Sequence, residues 1–455
     1  MNTIPKIRIN FSTTHIIMLS FLVAILLGSL ILSLPISSAT GKSVPYIDAL
    51  FTATTSICVT GLVTLPTAST WSVFGQSTIL ILIQVGGLGV ITIISGVMIS
   101  LHKRIGIGER MLIQDAFNLN TMSGLVKFIK KVLIGTFVVE GIGALLYMTV
   151  FIPDFGLKGI WISIFNSISA FCNAGMDIIS ENGLCDYTHH PLINLITSLL
   201  IIIGGIGYIV WWDIIRVIKN FKNQKLKCFK SLTLHSKIAI YITFLLILIG
   251  TVAFFIFEYN NPLTMKNFSL YEKIQAAFFQ SVTTRTAGFV TIPQQNLTNA
   301  SAIVSLLLMF IGGSPIGTAG GIKTVTIAIL VASAFSTIKG KENVDFFNRT
   351  IPRPAISKAV AVTSISFITM FISTVLLATV TNAPALDIAY ETISATATVG
   401  LTRNLTPTLN ILGKLIIIIT MYFGRVGPIS LVIAFNRQKE VKNIIKNPTE
   451  NVNVG

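Results

Sequence analysis

Four short segments each combine a single glycine with small hydroxyl residues inside otherwise apolar surroundings. They read Thr54-Thr55-Ser56-Ile57-Cys58-Val59-Thr60-Gly61-Leu62, Ser169-Ala170-Phe171-Cys172-Asn173-Ala174-Gly175-Met176, Ser281-Val282-Thr283-Thr284-Arg285-Thr286-Ala287-Gly288-Phe289 and Ser394-Ala395-Thr396-Ala397-Thr398-Val399-Gly400-Leu401. Gly61, Gly175, Gly288 and Gly400 lie about 113 residues apart, varying by about one. One chemistry suits such a set. A dehydrated monovalent cation needs oxygen ligands in place of its water, and a ring of backbone carbonyls supplies them without fixed charge. Aiming successive carbonyls inward takes unusual dihedrals, which glycine adopts cheaply. The candidate ion filter is therefore Val59, Thr60 and Gly61; Asn173, Ala174 and Gly175; Thr286, Ala287 and Gly288; and Thr398, Val399 and Gly400. Residues 398–402 echo the opening of the potassium-channel filter. The echo ends after one glycine, so fewer well-formed sites are expected.

The elements that must hold these segments follow from what flanks them. Half-apolar stretches open near Tyr46-Ile47-Asp48, Gly159-Ile160-Trp161, Leu270-Tyr271-Glu272 and Leu386-Asp387-Ile388. At roughly 10–14 residues they are too short to span a bilayer and fit re-entrant half-helices. Non-helical backbone at that depth is tolerated only inside protein or along water. Glycines that serve helix packing alone would not account for these short helices. Downstream come Gly86-Gly87-Leu88-Gly89, Gly204-Gly205-Ile206-Gly207, Gly312-Gly313-Ser314-Pro315 and Gly424-Arg425-Val426-Gly427, each in a second long apolar run. The expected fold is an all-α integral membrane protein. Four tandem repeats of outer helix, pore helix, filter loop and inner helix surround one central pore with pseudo-four-fold symmetry. The repeats are placed at 12–101, 126–218, 237–338 and 356–436, with a basic tail at 437–455. Each repeat crosses twice, so all four share one orientation. A secondary active transporter for sodium or another small solute would instead show inverted repeats and a midplane site.

Bulk composition agrees. The chain is 52% hydrophobic and 11% charged, with mean hydropathy +0.79, whereas a soluble domain carries roughly 25% charged residues. Long apolar runs at Ile16–Leu34, Ser77–Leu101, Leu133–Phe151, Leu192–Ile218, Ile238–Phe257, Val360–Val380 and Leu412–Phe435 have about the length of a membrane span. The net charge of +16 does not point to nucleic acid, because the basic residues sit in alternate loops. They cluster at 103–131, 216–237 and 339–358 and in the tails from Lys6 to Arg8 and from Arg437 to Lys446. That positive-inside pattern places both termini in the cytoplasm. The first apolar run reads as a spanning helix rather than a cleaved signal. The four cysteines have no metal-ligand spacing and imply no disulfide framework.

The third inner run differs. Gly312, Gly313, Ser314, Pro315, Gly317, Thr318, Gly320 and Gly321 cannot form a stable helix interior. They should break the helix and leave a loop beside the pore, a candidate gate. In the fourth repeat Arg425 stands where Gly87, Gly205 and Gly313 stand in the others. An arginine at that depth needs acceptors, which the broken helix offers, so Arg425 is expected to hold the loop closed. The competing reading is that it snorkels to the cytoplasm. Arg285 is expected to point behind the filter and pair with a carboxylate such as Glu391. Glu140 lies in an apolar run, where a carboxylate is functional by default, but one isolated carboxylate makes no proton relay, and a helix–helix hydrogen bond is an equal alternative. Gly317 to Thr324 lacks the second glycine and the preceding strand of a phosphate-binding loop. His189 and His190 have no acidic partner motif, which argues against an enzyme.

The four linked repeats, the single filter glycines, the string Thr284-Arg285-Thr286-Ala287-Gly288-Phe289 and the string Gly320-Gly321-Ile322-Lys323-Thr324 resemble the Trk/Ktr/HKT superfamily over about residues 12–436. The chain opens directly into the first repeat, as Ktr-type membrane subunits do. The resemblance implies potassium uptake in a bacterial plasma membrane, with K+ as the transported ion and Na+ as a possible activator. It implies a homodimer with one pore per protomer, regulated by a cytoplasmic ring of nucleotide-binding RCK subunits. Any ATP or ADP would act only through that partner, and no covalent cofactor is implied. It assigns gating to the third-repeat loop and to Arg425. Sodium-favouring plant relatives carry serine at the first filter glycine; Gly61 here favours potassium.

Overall fold

The computed structural model describes residues 13–101, 106–116, 124–219 and 230–427. The 437–455 tail and part of the first two basic clusters lie outside them. The helices are α1 (Thr13–Leu32), α2 (Tyr46–Cys58), α3 (Thr67–Thr70), α4 (Val73–Leu88), α5 (Val90–Ser100), α6 (Ile107–Ala116), α7 (Leu125–Phe155), α8 (Lys158–Cys172), α9 (Pro191–Gly205), α10 (Tyr208–Lys219), α11 (Leu234–Glu258), α12 (Leu270–Thr283), α13 (Asn299–Phe310), α14 (Thr324–Ile338), α15 (Arg353–Val380), α16 (Ala385–Ala397) and α17 (Ile411–Val426). A two-residue hairpin, Asp345–Phe346 with Arg349–Thr350, joins α14 to α15.

Polarity is inverted relative to a soluble protein. The outer faces of α1, α7, α11 and α15 expose Leu22, Leu26, Leu30, Phe137, Leu145, Phe244, Ile256, Phe367 and Phe371. Threonine, serine and asparagine are buried inside, among them Thr52, Thr54, Thr55, Ser163, Asn166, Ser281 and Thr392. An apolar solvent imposes this arrangement, since backbone and hydroxyl groups must find partners within the protein. The four outer helices have the length and composition to cross a bilayer.

The short helices α2, α8, α12 and α16 run 13, 15, 14 and 13 residues. Their starts match the stretches singled out in the sequence. Proline stands at the N-cap of α2 and α16, and a Ser269–Glu272 capping box opens α12. The inner helices pack on the short helix of the following segment: α4 on α8, α9 on α12, α13 on α16, and α17 back on α2. This last contact closes the ring.

Two inner runs depart from expectation. The runs 77–101 and 192–218 are not straight spans; they bend by 96° and 98° between α4 and α5 and between α9 and α10. The bends fall at Gly89 (φ +85°) and Gly207 (φ +94°), a left-handed conformation that glycine alone adopts without cost. α17 ends on Gly427 in the same conformation (φ +91°). The bent ends leave carbonyls without intrahelical donors.

Close approach explains the helix glycines before each bend. A Cβ on Gly86 would lie 2.0 Å from Ile57 O, one on Gly204 2.0 Å from Phe171 O, and one on Gly424 2.3 Å from Thr396 O. These oxygens belong to short-helix ends that cannot move aside. Gly204→Ala should therefore prevent assembly, at a cost above the roughly 1–3 kcal/mol of ordinary overpacking. Detergent-solubilised protein would then run as aggregate in size-exclusion chromatography, and a wild-type profile would contradict this packing.

Candidate functional site

Each short helix gives way to a loop whose backbone turns left-handed two residues before the glycine. Val59 (φ +55°), Asn173 (φ +61°), Thr286 (φ +64°) and Thr398 (φ +51°) precede Gly61 (φ +97°), Gly175 (φ +63°), Gly288 (φ +79°) and Gly400 (φ +95°). Three of the four non-glycine positions are β-branched, and this conformation costs about 1–2 kcal/mol at each. Left-handed backbone recurring at alternate residues turns successive carbonyls toward one side. The surroundings enforce it. Thr60 N–H donates to Thr55 O, Ala174 N–H to Ser169 O and Val399 N–H to Ser394 O, all at 2.8 Å. In the third loop the corresponding bond reaches back one residue fewer, Ala287 N–H donating to Thr283 O (3.0 Å).

The loops meet in cyclic order. A Cβ on Gly61 would lie 2.5 Å from Ala174 O, on Gly175 2.5 Å from Ala287 O, on Gly288 2.5 Å from Val399 O, and on Gly400 2.2 Å from Thr60 O. Each glycine thus packs against the carbonyl that precedes the next, and all twelve sequence-selected residues are brought together. Their eight non-glycine members are buried.

Hydroxyls behind the loops were not singled out by the sequence. Gly61 N–H donates to Thr55 Oγ1 and Gly400 N–H to Ser394 Oγ, both at 3.0 Å. Ser169 Oγ donates to Met176 O (2.5 Å) and Thr283 Oγ1 to Phe289 O (2.6 Å). The signal available was a hydroxyl residue recurring five or six positions before each glycine.

Residues 311–323 interrupt the third inner helix between α13 and α14. The neck is closed: Gly312 N–H donates to Ile322 O (2.9 Å) and Thr324 N–H to Gly313 O (3.0 Å). Beyond it the loop enters the bend of the second inner helix. Ser314 N–H donates to Gly205 O (2.8 Å), Thr318 N–H to Gly204 O (3.2 Å), and Tyr208 N–H to Ile316 O (2.9 Å). Thr318 Oγ1 lies 3.0 Å from Phe171 O and 3.2 Å from Asn173 Oδ1. A Cβ on Gly320 would lie 1.9 Å from Thr398 Oγ1. The loop therefore reaches from the second to the fourth glycine segment, directly against both.

Arg425 donates to Thr318 O (2.7 Å) in this loop and to Gly86 O (2.5 Å) and Gly87 O (3.3 Å) at the bend of the first inner helix. The acceptors come from two broken helices, not only the third. Lys323 Nζ, missed in the sequence, donates to Ala319 O (2.6 Å).

Arg285 does not pair with Glu391. It is buried and donates to Thr243 O (3.4 Å) and Gly312 O (3.3 Å). Glu391 accepts from Thr402 Oγ1 (2.6 Å) and from Thr406 Oγ1, so its own loop satisfies it. Of the two readings of Glu140, the helix–helix bond is present: it accepts from Gln84 Nε2 (3.2 Å). His189 lies 2.8 Å from Glu272, an acidic partner the sequence reading did not find.

Apolar exteriors, short buried helices and a closed ring of carbonyl-rich loops define a multi-pass membrane protein built to pass a small cation. The chain matches the TrkH family of cation transport proteins over residues 4–446, and it belongs to that family, which is one of transporters and not of enzymes. It is 39% identical to the potassium/sodium uptake protein NtpJ of Enterococcus hirae, over 99% of each chain. It is 38% identical to the Ktr system potassium uptake protein B of Bacillus subtilis, over 95% of each. The fold is similar to the crystal structure of the potassium transporter TrkH from Vibrio parahaemolyticus, with TM-score 0.74 and 17% identity over 96% of this chain and 87% of that one.

The hydroxyl supports give a test. Thr55→Val and Ser394→Ala each remove an acceptor worth about 1 kcal/mol from a loop held in strained backbone. Cation flux into liposomes is expected to continue with roughly two- to tenfold weaker discrimination between K+ and Na+. Unchanged discrimination in both variants would remove the hydroxyls from the site.

Proposed function

We propose that the chain is the ion-translocating subunit of a potassium uptake system, passing K+ through a ring formed by the four glycine loops. The cyclic contact of each glycine with the carbonyl before the next carries this reading. Only a convergent, charge-free set of oxygens explains why strain is maintained at four separate positions. The names of the two relatives above point to potassium as the cargo, and one of them also names sodium. Filter ligands are the backbone oxygens of residues 59–61, 173–175, 286–288 and 398–400, arranged with pseudo-four-fold symmetry.

The 311–323 loop is the gate in this reading. It passes beneath the ring, and Arg425 fastens it while adding a positive barrier below the filter. The chain works as a homodimer with a cytoplasmic nucleotide-binding RCK ring, Na+ being an activator and ATP or ADP acting only through the ring. It resides in a bacterial plasma membrane with both termini in the cytoplasm.

Expression in a bacterium lacking potassium uptake should restore growth at low potassium, more strongly with an RCK partner. Gly61→Ser should keep some growth but admit Na+, because its Cβ displaces Ala174 O from the ring. No rescue by the wild type, or the same ion preference in Gly61→Ser, would refute the filter assignment.

Arg425→Ala removes charge-assisted bonds worth about 1.5–3 kcal/mol each. Flux through the chain without a partner is expected to rise about tenfold or more in a rubidium uptake assay. Flux at or below the wild-type rate would mean that Arg425 does not fasten the loop.

A further inference from the structure

We infer that Trp211 is a positioning residue of the gate: its indole fixes the bend in the second inner helix that offers Gly204 O and Gly205 O to the loop. This rests on the reading of 311–323 as a gate. A helix interrupted at Gly205 leaves its last carbonyls without donors from the next turn, and at membrane depth each must be satisfied. Ile202 O accepts from Ile206 N–H (3.0 Å), Gly204 O from Thr318 N–H (3.2 Å) and Gly205 O from Ser314 N–H (2.8 Å). Ile203 O is the remaining one, and Trp211 Nε1 donates to it at 2.8 Å.

This bond differs from the others in what it ties together. Ile203 lies on α9 and Trp211 on α10, on opposite sides of the 98° bend. The indole is a strut across the corner, and its ring is held on three sides. Tyr208 packs edge-on at 5.3 Å and Phe171 at 5.7 Å, and Gly135 leaves room, since a Cβ there would lie 3.3 Å from Trp211 Cζ3. Two of these neighbours also touch the loop through their backbones: Phe171 O is 3.0 Å from Thr318 Oγ1, and Tyr208 N–H donates to Ile316 O. One ring therefore sets the short-helix end, the helix bend and the loop's dock in fixed relation. The far side of α10 is fastened too, as Asp213 accepts from Thr233 N–H and Oγ1, both at 2.9 Å, which leaves the bend itself as the joint that Trp211 closes.

Without the indole N–H, Ile203 O is left unpaired, the bend relaxes, and the two dock carbonyls move off Ser314 and Thr318. The closed loop is weakened while the filter segments keep all their own bonds. The test is rubidium flux through the full chain in liposomes with no other protein present. Trp211→Phe keeps an aromatic contact and loses the donor. Replacement of Trp211 by 3-benzothienylalanine keeps the ring shape and loses only the N–H. Both are expected to raise flux about three- to tenfold with the Rb+/Na+ ratio unchanged. Combining Trp211→Phe with Arg425→Ala should give less than the product of the separate effects, since both unseat one loop. If Arg425→Ala raises flux and neither Trp211 variant does, the positioning role is wrong and the gate reading stands. A rise in Trp211→Phe alone, absent with benzothienylalanine, would likewise overturn the role of the bond. If Arg425→Ala also fails to raise flux, the gate reading falls, and this role with it.

Discussion

Main-chain carbonyls stranded at membrane depth govern this structure. A bilayer supplies no water to an orphan oxygen, so each interruption of a helix must be answered by a donor from elsewhere. The inner helices are interrupted at Gly89, Gly207 and the 311–323 loop. Their oxygens are met by the Arg425 guanidinium, by the loop's own amides and by the Trp211 indole. The four glycine loops obey the same rule in reverse. Their amides are taken by hydroxyls and carbonyls of the short helices, which leaves their oxygens to face one another.

That division of donors and acceptors accounts for the glycines more fully than backbone freedom does. Positive φ is also adopted by Val59, Asn173, Thr286 and Thr398, so conformation alone does not demand glycine at 61, 175, 288 and 400. The neighbour's carbonyl does, because it occupies the space where a Cβ would stand. A ring of four segments drawn that close leaves no room for side chains on its inner surface. The same logic places Gly86, Gly204 and Gly424 where inner helices lie against short-helix ends.

Much of this was legible in the sequence because glycine and hydroxyl residues are conspicuous in an apolar chain. The spacing of the four glycines and the shortness of the helices before them are one-dimensional signals, and the ring segments follow from them. The bends at Gly89 and Gly207 were not legible. Apolar residues continue through both, and hydropathy does not distinguish a straight span from a folded one. Arg285 shows a second limit. Glu391 was the visible anion, whereas the actual acceptors, Thr243 O and Gly312 O, are backbone atoms that no residue type announces. Trp211 was silent for the same reason, since its partner is the oxygen of an isoleucine.

If the loop is the gate proposed above, its attachments explain how one segment can close the path and still release it. Its neck bonds, Gly312 to Ile322 and Thr324 to Gly313, lie within the third segment and need not break when the tip moves. The bonds that must break are those from Ser314 and Thr318 to the second inner helix, from Thr318 Oγ1 to Phe171 O, from Tyr208 to Ile316, and from Arg425 to Thr318. At about 1 kcal/mol net for each neutral bond and roughly twice that for the arginine, closure is worth several kcal/mol. In that reading the open form stays below a per cent, and a ligand that binds it several kcal/mol more tightly than the closed form would reverse the balance. Three of these bonds end on the corner between α9 and α10, so a force on α10 bears directly on the loop. A rigid corner keeps the loop seated against thermal motion, and the same rigidity would carry a displacement of α10 to the loop and to the glycine segments it touches.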